Sequence, residues 1–212
     1  MNCPRCNANV AFSKKRCDNC GQDLKNYRRV VGLSNIYYNK GLSQAKVRDL
    51  SGAISSLKLS LQFNKLNTNA RNLLGLVYLE EGEIVSALSE WVISKHYQSE
   101  NNDAEDYIKM IQSNPNKLET YNQTIRKYNS ALNSAKHGDE DMAIIQLKKV
   151  VNLNPKFIRA HQLLALLYMM TGKKDNRVKA LKLLRNISQI DVTNTTTLRY
   201  MKELSDVQRR KS

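Results

Sequence analysis

No cysteine occurs after residue 20 of this 212-residue chain, so the rest of the sequence cannot form a disulfide. The chain has only three prolines and eight glycines. A strand-rich fold needs more of these turn-forming residues. It contains no run of about 18 apolar residues that could span a bilayer, and its N-terminus lacks the apolar core of a secretory signal. These absences favour a helical protein of the reducing cytoplasm.

Acidic residues are scarce relative to basic ones. The chain has 34 Lys and Arg against 19 Asp and Glu, a formal net charge of +15. Basic residues are concentrated at the ends, with seven among the first 30 residues and thirteen from Pro155 onward, against two and four acidic residues. This balance favours contact with nucleic acid, an anionic membrane face or an acidic protein surface, and it does not choose among them.

The four cysteines form two Cys-x-x-Cys pairs, Cys3 with Cys6 and Cys17 with Cys20, separated by ten residues. Two such knuckles can place four thiolates in a tetrahedron, which is the arrangement of a structural zinc site. A segment this short cannot bury enough apolar surface to fold alone, so one Zn²⁺ per chain is predicted to supply most of the folding free energy of residues 1–24. A rubredoxin-like iron site and a redox dithiol pair are the alternatives, but no thioredoxin-like pattern follows.

The first 24 residues resemble the short zinc ribbons found at the N-termini of many bacterial proteins. The resemblance covers this segment only. Between the knuckles, residues 8–16 are long enough for a short hairpin around Ala11 and Phe12.

The sequence after the cysteines is helical in pattern and repeats itself. Ala53 is followed 34 residues later by Ala87, and alanines recur at the same place as Ala143 and Ala180. A period of this length predicts stacked helical hairpins, since a single hairpin cannot bury its apolar face alone.

Two segments resemble the tetratricopeptide repeat (TPR) most closely. Leu74-Gly75-Leu76-Val77-Tyr78 followed by Gly82 is similar to the Leu-Gly-x-x-Tyr and turn-glycine pattern, and residues 164–168 with Gly172 repeat it. The resemblance implies repeats at about 34–67, 68–101, 124–157 and 158–194. Ser60 and Ser94 depart from it, because the family has alanine there.

The predicted fold class is therefore all-α, a TPR-like solenoid of helical hairpins over residues 27–194 preceded by a small zinc ribbon. Residues 102–123 fit no repeat, and an extra helix is expected at about 103–113. A capping helix and basic tail are expected over 195–212, with Asn194 as the helix cap.

In TPR proteins the first helix of each hairpin lines a concave surface, and the resemblance implies which residues line it here. Amide, tyrosine and arginine side chains beside leucine and methionine suit a groove that holds a peptide. The alternative is that many of these side chains pack against neighbouring helices. The residues implied are Asn35, Tyr38, Asn69, Asn72, Leu76, Tyr128, Leu132, Arg159, Gln162, Leu166 and Met169.

No catalytic constellation is evident, because the three histidines fall on separate repeat elements and no glycine-rich phosphate loop occurs. The predicted function is a non-enzymatic adaptor that binds a protein or peptide partner. The alternative is a nucleic-acid-associated factor that uses the zinc head and the basic C-terminal region. The basic end also fits the soluble part of a longer chain anchored on the cytoplasmic face of a membrane.

Overall fold

The computed structural model describes residues 1–209, which form a small cysteine-containing head followed by ten α-helices. Within this range no strand forms, and two isolated β-bridges lie in the head. The helices are α1 Lys25–Lys46, α2 Leu50–Phe63, α3 Thr68–Glu80, α4 Ile84–Tyr97, α5 Ala104–Gln112, α6 Pro115–Lys136, α7 Glu140–Leu153, α8 Ile158–Met170, α9 Lys174–Ile190 and α10 Thr195–Arg209. The chain is an all-α, TPR-like helical-hairpin solenoid, as its sequence predicts.

Four helical hairpins build the solenoid: α1–α2, α3–α4, α6–α7 and α8–α9. Two of them begin earlier than the repeat positions suggest. Helix α1 starts at Lys25, directly after the head, and α6 starts at Pro115 behind an Asn114 cap whose side chain accepts from the Lys117 amide. Both helices have 22 residues and continue unbroken through the position where the repeat is expected to begin, although Gly32 lies close to that position in α1.

The C-terminal helix α10 is capped by Asn194, whose side-chain oxygen accepts from the amide of Thr197 at 3.0 Å. Its partly buried Tyr200, Met201 and Leu204 pack against the core of α6–α9. The end of the expected basic tail, residues 210–212, lies outside the described residues. Among the described helices, none combines the length and the apolar character needed to cross a bilayer.

Small residues mark the places where helices approach closely. The repeated alanines Ala53, Ala87, Ala143 and Ala180 are fully buried. A Cβ atom at Gly75 would collide with the fully buried ring of Trp91. The repeat spacing therefore reflects close packing of each second helix against its neighbours.

The two serines that depart from the TPR pattern form hydrogen bonds inside the solenoid. The Ser60 hydroxyl donates to the carbonyl of Ser34 at 2.8 Å, and Asn67 donates to the Ser34 hydroxyl at 2.9 Å. In the next hairpin, Asn102 donates to the Ser94 hydroxyl at 3.2 Å. A buried hydroxyl is tolerated at these positions because it has hydrogen-bond partners.

The turns of the first two hairpins dock onto loops much later in the chain, and we call this contact the lateral interface. At its first part, Arg48 donates from Nε to the carbonyl of Gln189 at 3.0 Å. The Leu50 amide donates to the buried carboxylate of Asp191 at 3.0 Å, and the Ser51 hydroxyl also donates to it. These residues are about 140 positions apart in sequence.

The second part of the lateral interface joins the α3–α4 turn to the loop between α7 and α8. The amide of Ile158 donates to the carbonyl of Glu81 at 3.2 Å, and Asn154 donates to the carbonyl of Gly82 at 3.1 Å. Gly82 has a φ of 76°, and a Cβ atom there would lie 2.7 Å from the Phe157 backbone. The two ends of the solenoid therefore contact each other through turns and loops as well as through successive helices.

Candidate metal centre and partner clefts

The two cysteine knuckles have the same backbone geometry. The Asn7 amide donates to the Cys3 carbonyl and the Gly21 amide to the Cys17 carbonyl, each at 2.9 Å. Asn7 and Gly21 both have positive φ, at 58° and 68°. Glycine and asparagine are the residues that adopt this left-handed conformation most readily, so the residue after each knuckle lets the chain turn back.

The head has no hairpin centred on Ala11 and Phe12. One β-bridge pairs Asn2 with Asn9 and the other pairs Arg16 with Asp23, so each bridge encloses a knuckle. Between them the chain makes a turn in which the Lys14 amide donates to the carbonyl of Ala11 at 3.0 Å. The expected hairpin does not form because both flanking segments pair around the knuckles instead.

The four cysteine sulfurs lie together and fit a tetrahedral ion. All four lie within 4.8 Å of one another, with Sγ–Sγ distances of 3.6 Å for Cys3–Cys20 and for Cys6–Cys17. Four bonds of about 2.3 Å to one zinc ion would place neighbouring sulfurs about 3.8 Å apart, far beyond a disulfide bond. These residues could therefore hold one metal ion, and within residues 1–209 no other group of His, Cys, Asp and Glu gathers in this way.

The local hydrogen bonds affect the thiols unequally. The Ala8 amide and then the Asn19 side chain lower the pKa of Cys6 to about 6. The Gln22 amide lowers the pKa of Cys20, but burial and the three neighbouring sulfurs raise it to about 12. Four thiolates this close together repel one another, so full deprotonation requires a bound cation, which the donor set suits.

The head has its own small core. Cys3, Val10, Cys17 and Leu24 are buried, and Tyr27 of α1 packs partly against them. The core of the first two hairpins consists of different residues, including Leu57 and Leu74. The head is therefore a separate packing unit that contacts the solenoid at the start of α1.

The predicted groove residues do not lie in one continuous groove. Asn72 is only 7% exposed, and its amide donates to Asn102 at 2.8 Å. Gln162 donates to Asn194 at 2.7 Å and thereby supports the cap of α10. Tyr38, Leu76 and Met169 are half-buried and pack against the hydrophobic cores.

The remaining groove residues lie at two clefts or between them. Tyr128 and Arg159 line a cleft between α4 and α6, which we call the α4–α6 cleft. Asn35 and Asn69 line a second cleft below the head. Leu132 and Leu166 are half-buried and line neither cleft.

The α4–α6 cleft has a volume of about 250 Å³. Gly82 and Asn154 of the lateral interface form part of its wall. The Tyr128 ring packs on Phe157 with centroids 4.8 Å apart, and burial raises the pKa of Tyr128. Arg159 forms an ion pair with Glu83, with one nitrogen–oxygen distance of 2.8 Å. Its lining residues are Gly82, Glu83, Ile84, Val85, Ser86, Tyr121, Thr124, Ile125, Tyr128, Asn129, Asn154, Phe157 and Arg159.

Glu83 is one of the cleft residues that the sequence analysis did not predict, as are Asn129 and Phe157. Its burial raises the pKa of its carboxyl, and Arg159 opposes that increase. The position directly follows the turn glycine Gly82, but nothing in the sequence relates it to Arg159, which is 76 residues away. Contact across the lateral interface creates this pair.

The histidines do not form a site. His161 is buried and donates from Nδ1 to the Phe157 carbonyl at 3.0 Å, and burial lowers its pKa. His137 contacts the carbonyl of Asn133, and the ring of His96 lies beside Tyr97. Each histidine therefore has a local structural contact on its own helix.

No protein-family model matches the sequence, and no curated protein matches it. Several solved structures do. YrrB, a TPR protein with an unusual peptide-binding site, is 20% identical over 78% of this chain and 90% of its own, with a TM-score of 0.34. The P58(IPK) TPR domain is 16% identical over 87% of this chain and 58% of its own, with a TM-score of 0.38. MamA is 22% identical over 76% of this chain and 92% of its own, with a TM-score of 0.33. The likeness concerns the fold alone.

The helical hairpins and their repeated buried alanines make this chain a TPR-like solenoid with a four-cysteine head.

Proposed function

We propose that the protein is a non-enzymatic adaptor that binds a segment of a partner protein in the α4–α6 cleft, with a structural zinc ion in its head. The observation that carries the proposal is the composition of this cleft. Tyr128, which packs on the buried Phe157, supplies aromatic surface, and Asn129 and Arg159 supply polar groups on a cleft that the chain's own side chains leave open. Such a mixture suits a peptide, because aromatic groups receive its side chains while polar groups bind its backbone.

The zinc ion has a structural role in this proposal. Four cysteines complete a tetrahedral set and leave no open position for a substrate. The ion supplies folding free energy to a head that has only a small core of its own. Val10 and Leu24 pack around the two knuckles, and Tyr27 joins this core to α1 of the first hairpin.

Nucleic-acid binding is the less favoured function. Single strands are usually held by exposed aromatic faces along a basic groove. In the basic region from Pro155 to Arg209, Phe157 and Tyr168 are buried, and the half-buried Tyr200 has the Arg199 guanidinium over its ring at 5.2 Å. The described residues of this region therefore present basic charge without an open stacking surface.

The test is capture of partners from a native lysate, with and without nuclease, followed by measurement of affinity for each partner identified. We expect Tyr128→Ala to weaken binding of the partner by about 1–3 kcal/mol, because it removes an aromatic anchor from the cleft wall. Arg159→Ala should weaken binding as well, and its thermal unfolding is measured beside binding, because Arg159 also pairs with the largely buried Glu83.

A matched control is Tyr37→Ala. Tyr37 stacks on Phe63 with ring centroids 5.6 Å apart, and neither residue lines a cleft. The substitution therefore breaks a similar aromatic pair away from both clefts. Equal loss of binding in both tyrosine variants would remove the support for this site. Capture that disappears with nuclease, and affinity that falls steeply with salt, would instead favour nucleic acid.

A further inference from the structure

The solenoid contains an internal duplication with an offset of 90 residues. Helix α1, Lys25–Lys46, corresponds to α6, Pro115–Lys136, and the bounds of α2 and α3 recur in the same way in α7 and α8. Eighteen of the 58 residues from 25 to 82 are identical to the residue 90 positions later. We call α1–α5 the first unit and α6–α10 the second unit.

The lateral interface is a contact between these two units, and each unit contributes a different surface to it. The first unit contributes its hairpin turns, where the Leu50 amide and the Gly82 carbonyl form hydrogen bonds. The second unit contributes the loops after α7 and α9, with Asn154 and Asp191 as the partners. Such a heterologous contact leaves the corresponding turns of the second unit open, and a Cβ atom at Gly172 would meet nothing within 4 Å.

The cleft below the cysteine head is the counterpart, on the first unit, of the α4–α6 cleft on the second. Five pairs of corresponding residues line the two clefts: Val31 and Tyr121, Asn35 and Ile125, Asn64 and Asn154, Asn67 and Phe157, and Asn69 and Arg159. The opposite wall of the α4–α6 cleft is the α3–α4 turn with the start of α4, whereas the head forms the opposite wall below it. The head therefore lies on the first unit where the α3–α4 turn lies on the second.

We infer that the α2–α3 loop, residues 64–67, binds the α8–α9 turn of a second copy of the chain when loss of the metal releases the head. In the lateral interface, Lys156 and Glu80 form an ion pair at 3.0 Å. The corresponding residues are Leu66 and Met170, which are 58% and 60% exposed. An apolar pair thus replaces an ion pair, and docking of a second copy would remove both side chains from water.

The hydrogen bond at the centre of this contact can form again in the second copy. Asn154 donates to the Gly82 carbonyl at 3.1 Å, and the corresponding residues, Asn64 and Gly172, are identical to them. The Asn64 side-chain oxygen accepts from the Leu66 amide, and its nitrogen has no partner among residues 1–209. The donor that this contact requires is therefore free.

The charges of the two surfaces also allow a second copy to dock. The ion pair of Arg159 with Glu83 corresponds to Asn69 and Lys173, in which an ammonium group can donate to a carboxamide oxygen. The net charge of +15 opposes the approach of two copies, so we expect added salt to strengthen the association. Each copy presents one turn surface and one loop surface, so copies join into open chains.

The experiment measures sedimentation velocity of the full chain over a range of concentrations, with metal bound and after chelation in the presence of a reductant. A variant with all four cysteines replaced by alanine provides a chain that can form neither a metal site nor a disulfide. We expect the metal-bound chain to sediment as one copy, and the other two to sediment faster as concentration or salt rises. The inference rests on the metal-bound head of the proposed function, so elemental analysis and hydrogen exchange report on the head in the same samples.

Further substitutions in the four-alanine variant locate the contact. Met170→Glu should raise the concentration needed for association at least about tenfold, because it places a carboxylate against Leu66. Met110→Glu is the matched control, since Met110 is an exposed methionine on α5 that lines neither cleft. Adding Leu66→Lys to Met170→Glu should restore association, because it recreates the ion pair of Glu80 with Lys156.

Three results would overturn the inference. The first is a chelated chain and a four-alanine variant that both remain single copies at every concentration. The second is a metal-bound chain that associates as readily as they do. The third is equal association of the Met170→Glu and Met110→Glu variants. Tyr128 lies outside the α8–α9 turn and the α2–α3 loop, so Tyr128→Ala should leave this association unchanged and the two proposals fail separately.

Discussion

Single residues in this chain decide how closely its backbone segments approach. Gly41 packs against Leu57, where a Cβ atom would lie 2.7 Å from the Leu57 Cγ atom, and Gly82 packs against the backbone before α8. The two positions differ in what blocks a side chain. A leucine can shift, whereas the Phe157 backbone beside Gly82 is held by the lateral interface.

We therefore predict that Gly82→Ala destabilises the protein by about 2–5 kcal/mol. The substitution adds the cost of a left-handed conformation to that of a backbone contact at 2.7 Å. The midpoint of urea unfolding measures the change, with the slope showing whether unfolding remains a single transition.

Gly172 provides the control, since its φ is 68° and a Cβ atom there would have nothing within 4 Å. Gly172→Ala should cost only about 1–2 kcal/mol, the part that comes from backbone conformation. Equal effects of the two substitutions would show that the close approach at Gly82 contributes little.

At the scale of elements, the head and the solenoid have separate cores. The buried cysteines, Val10 and Leu24 form one, and Leu57 and Leu74 belong to another. The head's core is too small to offset the conformational entropy lost on ordering, whereas stacked hairpins share a large apolar surface. The two parts should therefore respond differently to loss of metal.

We predict one zinc ion per chain and loss of head structure alone on chelation. Helical circular dichroism should stay near its starting value, with a small decrease from the first turn of α1, where Leu24 and Tyr27 lose their contacts. Elemental analysis gives the stoichiometry, and hydrogen exchange locates the change. Cys6→Ala should reproduce the effect without chelator. Loss of most helical signal would show that the solenoid depends on the head.

At the scale of the whole molecule, the lateral interface brings acidic groups together. Burial foremost, then the carboxylates of Asp191 and Glu83, raises the pKa of Glu81 to about 7. Arg159 and Lys58 oppose the increase. Asp191 is buried and accepts hydrogen bonds from Leu50, Ser51 and Asn194.

This cluster predicts a pH-dependent stability. Because the folded pKa of Glu81 lies above its unfolded value of 4.5, the folded state binds the proton more tightly, and stability falls as pH rises from about 4.5 to 7. Glu81→Gln removes the ionisable group. We expect the variant to be more stable than the parent by about 1–2 kcal/mol at pH 8, after allowance for partial exposure, with little difference near pH 5.

Glu119→Gln is the control, because Glu119 is exposed on α6 and lies outside the lateral interface. Thermal unfolding of the three proteins at pH 5, 6, 7 and 8 makes the comparison. The prediction is wrong if the difference in stability between Glu81→Gln and the parent is the same at every pH. That result would show that folding does not raise the pKa of the Glu81 carboxyl.

The sequence by itself determined the parts of this protein that depend on short spacings. Two Cys-x-x-Cys pairs bring four sulfurs to one point because each knuckle is a local turn. The repeated alanines from Ala53 to Ala180 indicate helical hairpins, because each alanine is buried where its helix packs against a neighbouring helix. Periodicity records such contacts, so the all-α fold follows from it, and the cysteine spacing predicts the cluster of four sulfurs.

Only the tertiary structure decided how the groove residues are divided between two clefts and the interior. The contact of Arg48 with Gln189 and the pairing of Glu83 with Arg159 join polar turns that are far apart in sequence. Such contacts leave no periodic pattern in the sequence, because a turn residue is polar both when it faces water and when it contacts a distant loop. The α4–α6 cleft lies beside these contacts, since Glu83, Asn154 and Arg159 line it.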